Sequence, residues 1–374
     1  MNALQDRLIV LRREVAEVDV HEAARRHAGG AVLVDVRDLE EWASGGPTGA
    51  VHLPRGTLEL HIEAAVPDPR TPLLLICAAG TRSLLAAADL RALGYTGVAS
   101  VAGGVDAWRT AGLPMRVPAG LDADSLDRYA RHLRLPEVGA AGQARLLASR
   151  VLCVGAGGIG APALLYLAAA GVGRLTVVDD DRVERSNLQR QIIHTDGRVG
   201  VLKTESARAA LLALNPRLQI DVHPTRLDAT NVDALVAGQA VVVDGTDNFA
   251  TRYLINDACV RLGVPNVHGS VHRFEGQVAV FHPPQGPCYR CLYPAPPPAA
   301  LLPACGEVGV LGVVPGVVGV IQAAETLKLL LGLGDVLIGR LLQVDLLGPR
   351  FHLLRLPRDP ACAICGPLGT AVGP

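Results

Sequence analysis

The run Gly155-Ala156-Gly157-Gly158-Ile159-Gly160 constrains this chain more than any other feature, because it lies between the apolar segment Val151–Val154 and a second apolar stretch that ends near Gly171. Glycines at these intervals permit a tight turn from a buried strand into a helix and let a phosphate approach the first helical N–H groups. Asp179 follows nineteen residues after Gly160, at the end of the next apolar segment Leu175–Val178, where a carboxylate accepts hydrogen bonds from ribose hydroxyls. The spacing predicts a Rossmann-like nucleotide site built on Gly155, Gly157, Gly158, Gly160 and Asp179, and by itself leaves NAD and ATP both open.

The residues that follow favour a triphosphate. Ser186-Asn187-Leu188-Gln189-Arg190-Gln191, then Lys203, then Thr246-Asp247-Asn248 bring cations, amides and a carboxylate to the same edge of the predicted sheet. Arg190 and Lys203 can neutralise phosphate oxygens, and Asp247 can hold Mg2+ while pyrophosphate departs. A nicotinamide-dependent dehydrogenase, the rival enzyme class, has no use for all of these together.

The surrounding pattern gives an α/β architecture. A helix over Thr204–Leu214 stops at Asn215-Pro216, and strands follow at Gln219–His223 and Ala240–Asp244, as in a doubly wound parallel sheet. From Pro283 to Pro303 the chain is Pro-rich and irregular, and beyond Val336 the alternation over Leu341–Leu347 and Phe351–Leu356 predicts antiparallel strands. Upstream, Gly112–Asp124 reads as a linker, preceded by a smaller α/β pattern: strands at Val32–Val36, Leu73–Cys77 and Val98–Val101, and a helix over Ser83–Leu93 closed by Gly94. Leu4–Glu17 reads as an amphipathic helix. The expected organisation is an N-terminal helical segment (1–17), a small α/β domain (18–115), a linker (116–125) and a nucleotide-binding domain (126–374).

Cys77 closes an apolar strand and is followed by Ala78-Ala79-Gly80-Thr81-Arg82-Ser83, a short loop leading into a helix. Backbone N–H groups, the positive helix end and Arg82 would together favour a thiolate and cradle an anion such as a persulfide. Two further pairs, Cys288-Tyr289-Arg290-Cys291 and Cys362-Ala363-Ile364-Cys365, form a four-thiolate set suited to a closed structural Zn2+ site that staples the irregular loop to the C-terminal tail. Cys153 and Cys259 read as core residues.

Composition narrows the field by exclusion. With 35 Lys plus Arg against 36 Asp plus Glu, the formal charge of -1 builds no positive field for nucleic acid. Eight cysteines without a secretory leader pattern predict reduced thiols in the cytoplasm. The mean hydropathy of +0.30 raises the question of a membrane, but the uncharged stretches Val151–Gly173 and Val308–Ala324 are both interrupted by Gly and Pro. Each is expected to be buried strand, turn and helix, with no spanning segment.

Two resemblances rest on these residues. Cys77, Gly80, Arg82 and Ser83, with Val34-Asp35-Val36-Arg37, Glu40-Glu41-Trp42 and Gly103-Gly104-Val105-Asp106-Ala107-Trp108, resemble the rhodanese family of sulfurtransferases over about Val18–Met115. That resemblance implies a persulfide on Cys77, with Asp35 and Arg37 holding its loop through an ion pair or hydrogen bonds. From Leu126 to Pro367 the chain resembles the ubiquitin-activating-like family, nearest its molybdopterin- and thiamine-pathway adenylyltransferases, through Arg128-Tyr129, Arg131, the glycine loop, the Ser186–Gln191 run, Lys203, Asp247-Asn248, Phe274-Glu275-Gly276-Gln277 and both Cys pairs.

This second resemblance implies that Gly158, Asp179, Ser186, Asn187, Leu188, Gln189, Arg190, Lys203, Asp247 and Asn248 bind ATP and Mg2+, and that Arg131 reaches a phosphate in the partner of a homodimer. It further implies a small ubiquitin-like sulfur-carrier protein as substrate, adenylated at its C-terminal glycine and converted to a thiocarboxylate for molybdopterin or thiamine synthesis. The sulfur donor is then thiosulfate or a cysteine desulfurase. Cys305 aligns with a crossing-loop cysteine that takes part in thioester or disulfide chemistry in some relatives and is dispensable in others. The chain departs from the family in having Gly245 before Thr246, where bacterial relatives often have Cys, and in placing the rhodanese-like domain first. A non-catalytic scaffold for ubiquitin-like proteins is the remaining alternative, and it predicts loss of ATP-site residues that are all present.

Overall fold

The computed structural model describes residues 3–116, 121–296 and 309–368. By packing the chain divides into two compact units, Met1–Ala144 and Arg145–Pro374.

In the first unit the strands are β1 (Ala16–Val18), β2 (Val32–Asp35), β3 (Gly46–Pro47), β4 (Val51–His52), β5 (Leu73–Ile76), β6 (Val98–Val101) and β7 (Met115–Arg116). A parallel sheet of order β1-β6-β5-β2-β4 forms the centre, and β3 pairs with β7 in a separate antiparallel ribbon. Every residue of β5 and β6 is buried, so the runs read as continuously apolar, as strands covered on both faces must. The N-terminal helix ends at Glu14, short of the expected Glu17. Ala16–Val18 instead extends the sheet edge, pairing with Ala99–Val101, while Leu11 and Val15 enter the core beside Leu84 and Leu90. Pairing of the backbone outweighs helical continuation once those two side chains are buried.

In the second unit the strands are β8 (Arg150–Val154), β9 (Arg174–Val178), β10 (Gln219–His223), β11 (Val241–Asp244), β12 (Asn266–His272), β13 (Glu275–Phe281), β14 (Arg340–Asp345) and β15 (Arg350–Arg355). They form one sheet of order β10-β9-β8-β11-β12-β13-β14-β15, parallel from β10 to β12 and antiparallel thereafter. The expected alternation of β15 is not observed: it pairs only with β14, and all six of its residues are exposed. Cys153 on β8 and Cys259 on the helix Phe249–Leu262 are buried, and burial pushes the Cys153 thiol up to about 12 and raises Cys259 also.

The stretch expected as strand, turn and helix over Val308–Ala324 is, from residue 313 onward, one helix, Val313–Leu331. Pro315 lies in its first turn, where an N–H has no helical partner to lose. Gly319 meets the helix Gly160–Ala170 so closely that a Cβ there would stand 2.1 Å from the Ile159 carbonyl oxygen. This helix is long and apolar enough to cross a membrane. Its Gln322 is buried against the sheet and donates to the carbonyls of Asp244 and Val267 at 2.7 and 2.9 Å, and its Glu325 accepts the Leu337 N–H at 2.8 Å.

Candidate functional site

The glycine loop joins β8 to the helix Gly160–Ala170, and its shape is dictated by its own backbone. Gly155 has φ +93°, and a Cβ at Gly160 would lie 1.9 Å from the Gly155 carbonyl oxygen, so both positions require glycine. Asp179, just past β9, accepts the Ala156 N–H at 2.8 Å and the Asp181 N–H at 2.9 Å. Burial raises its pKa, with Lys203 opposing. Beneath the loop, buried His194 joins the Ala156 carbonyl (3.0 Å) to the Ser206 hydroxyl (2.9 Å), and burial lowers its pKa.

A cleft of about 1110 Å³ opens over this loop. It gathers Gly155, Gly157, Gly158, Asp179, Ser186 and Asn187 with Gln189, Arg190, Lys203, Asp247 and Asn248. Lys203 is buried along its stem and its Nζ reaches Asp181 at 2.7 Å, while Arg190 Nη1 donates to the Ser186 carbonyl at 3.2 Å. Asn187 and Asn248 already spend their side-chain oxygens on backbone: Asn187 accepts the Glu184 N–H at 3.0 Å, and Asn248 caps the helix Phe249–Leu262 by accepting the Thr251 N–H at 3.0 Å. Gly160 and Leu188 do not line the cleft. Arg131 is exposed on the helix Ala130–Leu133 of the first unit and is likewise not among the lining residues. Cys305 lies outside the described residues.

Behind the cleft lining lie residues that the motifs did not announce. Asp244 at the end of β11 is fully buried and accepts the Thr246 N–H (3.0 Å), the Thr246 hydroxyl (2.6 Å) and His268 Nδ1 (2.8 Å). Arg252 is buried one turn into the following helix and donates to the Thr246 carbonyl at 2.9 Å. Together they fix the turn that presents Asp247. The spacing of Arg252 after Thr246-Asp247-Asn248 was the available signal, whereas His268 comes from another strand.

The Cys-x-x-Cys pairs converge. The Sγ atoms of Cys288, Cys291, Cys362 and Cys365 all lie within 4.8 Å of one another, with separations of 4.0, 3.6 and 3.4 Å for 288–291, 288–362 and 291–365. Four thiolates about 2.3 Å from a tetrahedral Zn2+ stand about 3.8 Å apart, so the set fits that ion. Burial, and after it the facing thiols, push Cys288 up; burial, opposed by the Asp359 N–H, brings Cys291 to about 11; at Cys362, backbone N–H groups of Cys365 and Ile364 oppose burial and the pKa falls to about 7. The knuckle is fastened to the helix Phe249–Leu262, since Asn256 accepts the Tyr289 N–H at 2.7 Å and Asp257 takes both Arg290 Nε and Nη2 at 2.8 Å.

In the first unit Cys77 is buried at the end of β5, and its Sγ accepts the Gly80 N–H at 3.1 Å and lies 3.5 Å from the Ser83 hydroxyl. Gly104 (φ +58°) allows the loop to close, because a Cβ there would stand 2.2 Å from the Cys77 carbonyl oxygen, which accepts the Val105 N–H at 2.8 Å. One expectation needs correction. Arg37 pairs with buried Asp35, but its second contact is the Gly45 carbonyl (2.7 Å), so the pair anchors the segment after β2 and not the Cys77 loop. Arg82 pairs with Glu41, both Nη atoms at 2.7 Å, and its charge also interacts with Cys77.

Against known proteins, residues 129–364 match the ThiF family, and residues 19–111 match the rhodanese-like domain. The chain belongs to the ThiF family. A SAMP-activating enzyme E1 of Haloferax volcanii is 54% identical to this ThiF-family chain over 246 residues, covering 66% of it and 91% of that protein. A sulfur carrier protein adenylyltransferase of Thermus thermophilus is 51% identical over 248 residues, covering 65% and 92%. The adenylyltransferase and sulfurtransferase MOCS3 of Mus musculus is 49% identical over 261 residues, covering 68% of this chain and 57% of that protein. The crystal structure of E. coli MccB with ATP shares the fold, with a TM-score of 0.57 at 22% identity, over 67% of this chain and 77% of that one.

Proposed function

We propose that this chain adenylates the C-terminal glycine carboxylate of a small ubiquitin-like sulfur-carrier protein and then delivers sulfur to it from Cys77. The observation that carries the reading is the convergence of Lys203, Arg190 and Asp247 on the cleft above the glycine loop. The carrier carboxylate attacks the α-phosphorus of ATP, and pyrophosphate leaves; Lys203 and Arg190 balance charge on the phosphates. Adenylation replaces a poor electrophile by one with AMP as leaving group. The terminal sulfur of a Cys77 persulfide attacks the acyl carbon, AMP leaves, and a second thiol, for which Cys305 is the candidate, attacks the Cys77 sulfur of the acyl disulfide to release the thiocarboxylate.

Asp247 is assigned to hold Mg2+, which supplies charge neutralisation at the phosphates, and Cys288, Cys291, Cys362 and Cys365 to hold a structural Zn2+. Arg131 is assigned to the cleft of the partner in a cytoplasmic homodimer. The sulfur donor is thiosulfate or a cysteine desulfurase, and the carrier serves molybdopterin or thiamine synthesis. Carrier-dependent exchange of labelled pyrophosphate into ATP tests the reading: Asp247→Ala abolishes exchange, and Cys77→Ala retains exchange but makes no thiocarboxylate. Undiminished exchange in Asp247→Ala refutes the assignment.

A further inference from the structure

The nucleotide cleft is assembled from separate stretches of chain, and a side chain outside every motif joins three of them. The loop of residues 155–160 makes the glycine turn, the run that ends at Gln191 carries Arg190, and the helix Lys203–Leu214 carries Lys203. His194 follows that run closely: its N–H donates to the Gln191 carbonyl at 3.0 Å, and the Gln191 N–H donates to the Asn187 carbonyl at 2.9 Å. Its Nε2 stands 3.0 Å from the Ala156 carbonyl oxygen in the glycine loop, and its Nδ1 stands 2.9 Å from the hydroxyl of Ser206 in the first turn of the helix that Lys203 begins. Ser206 is held in turn, since Arg198 Nη1 donates to its carbonyl at 2.6 Å. Ala156, His194 and Ser206 are all buried and stand behind the cleft lining.

The contact with Ala156 has a fixed sense. A carbonyl oxygen only accepts, so Nε2 carries a proton and donates whether the ring is neutral or charged. Ala156 is thereby held at both ends, its N–H donating to Asp179 Oδ2 at 2.8 Å and its carbonyl accepting from His194. That carbonyl shares a planar trans peptide with the Gly157 N–H, which must therefore point the opposite way, from His194 toward the cleft that Gly157 lines. Such an N–H, at the entry to a helix, is a donor for phosphate. Asp179 already accepts the N–H groups of Ala156 and Asp181, so a ribose hydroxyl has to share its oxygens with them. The hold of His194 on Ala156 is shared with nothing in the cleft.

We propose that His194 is a positioning residue for ATP: by donating to the Ala156 carbonyl it aims the Gly157 N–H at a phosphate, and through Ser206 it keeps the Arg190 run and the Lys203 helix aligned with that loop. This rests on the adenylation reading of the cleft.

Two amide side chains separate the two ring contacts in the full chain. A glutamine amide nitrogen reaches to where Nε2 stands and an asparagine one to where Nδ1 stands, so His194→Gln keeps the donor to Ala156 and His194→Asn loses it. In carrier-dependent pyrophosphate exchange, His194→Asn raises the KM for ATP about tenfold, the worth of one buried hydrogen bond, while kcat stays within about threefold. His194→Gln returns that KM to within about threefold of the wild type. Hydrogen–deuterium exchange on nucleotide-free protein reads the loop directly: amides of residues 154–158 exchange about tenfold faster in His194→Asn and near the wild-type rate in His194→Gln. Both amides replace a buried ring by a smaller group, so a merely structural role lowers the two melting temperatures and changes the two KM values together. Equal KM values in the two variants, an unchanged KM in His194→Asn, or loop amides that exchange alike in all three proteins overturns the proposal. A wild type that binds no ATP by calorimetry overturns the adenylation reading instead, and the amide exchange, which needs no nucleotide, still decides whether His194 holds the loop.

Discussion

Asp244→Ala isolates the turn that presents Asp247. The wild-type carboxylate is 0% exposed and accepts from Thr246 N–H, Thr246 Oγ1 and His268 Nδ1 at 3.0, 2.6 and 2.8 Å. Despite a burial penalty, the His268 hydrogen bond and charge hold its pKa below the usual carboxylate value. Alanine leaves the Thr246 N–H, the Thr246 hydroxyl and a histidine 2% exposed without their acceptor. Leaving these buried donors without an acceptor costs about 1–3 kcal/mol, which lowers the melting temperature of a unit of this size by roughly 5 °C. Asp244→Asn preserves volume and one acceptor oxygen and should cost about half as much. The local effect exceeds the global one. With the turn released, Asp247 loses its position, and a displacement of an ångström in such a site lowers rate by about a hundredfold. Calorimetry and carrier-dependent pyrophosphate exchange read the two quantities separately. An Asp244→Ala protein that melts at the wild-type temperature and exchanges at the wild-type rate would show that Arg252 on the Thr246 carbonyl holds the turn alone, and the reasoning fails.

Chelation of zinc should lower the melting temperature, and Cys362→Ser should lose metal and solubility together, since the knuckle is fastened to the helix Phe249–Leu262 through Asn256 and Asp257; elemental analysis of freshly purified protein finding no zinc would count against the site. Acid should destabilise the fold from about pH 6.5 downward. Burial depresses the pKa of His194, His268 and His282 below 6.5, so the unfolded chain binds protons there that the folded chain does not, and stability falls as pH drops from 6.5 toward the folded values. Buried His268 alone contributes up to about 1.4 kcal/mol per pH unit in that window, and denaturant melts at pH 7.5 and 5.5 measure the sum.

The parts of the site legible in the sequence are those whose chemistry is local. The glycine loop shows itself because Gly155 and Gly160 leave no room for a side chain, and β6 falls where its apolar run places it. The helix Val313–Leu331 was obscured by Pro315 and Gly319, residues that break an isolated helix but here occupy a first turn and a close helix contact. Partners far apart in the chain were hidden altogether. Arg82 and Glu41 are separated by 41 residues and Asp244 and His268 by 24, and no periodicity connects them until the sheet order brings β2 beside β5 and β11 beside β12. A cationic residue in a motif therefore announces that charge is available, and the fold alone decides to which anion it is given.

That distinction separates the two chemistries of this chain. In the nucleotide cleft Lys203 is tethered to Asp181, whose side chain is 65% exposed, and an ion pair with so wet a partner is worth little, about 0–1 kcal/mol. A triphosphate can take over that ammonium at small cost. At the Cys77 rim the fork of Arg82 is engaged by both oxygens of one carboxylate and by a second carboxylate beside it, on a segment fixed by a buried ion pair. The same chain thus holds two motif cations differently, Lys203 on one wet carboxylate and Arg82 between two carboxylates on an anchored segment.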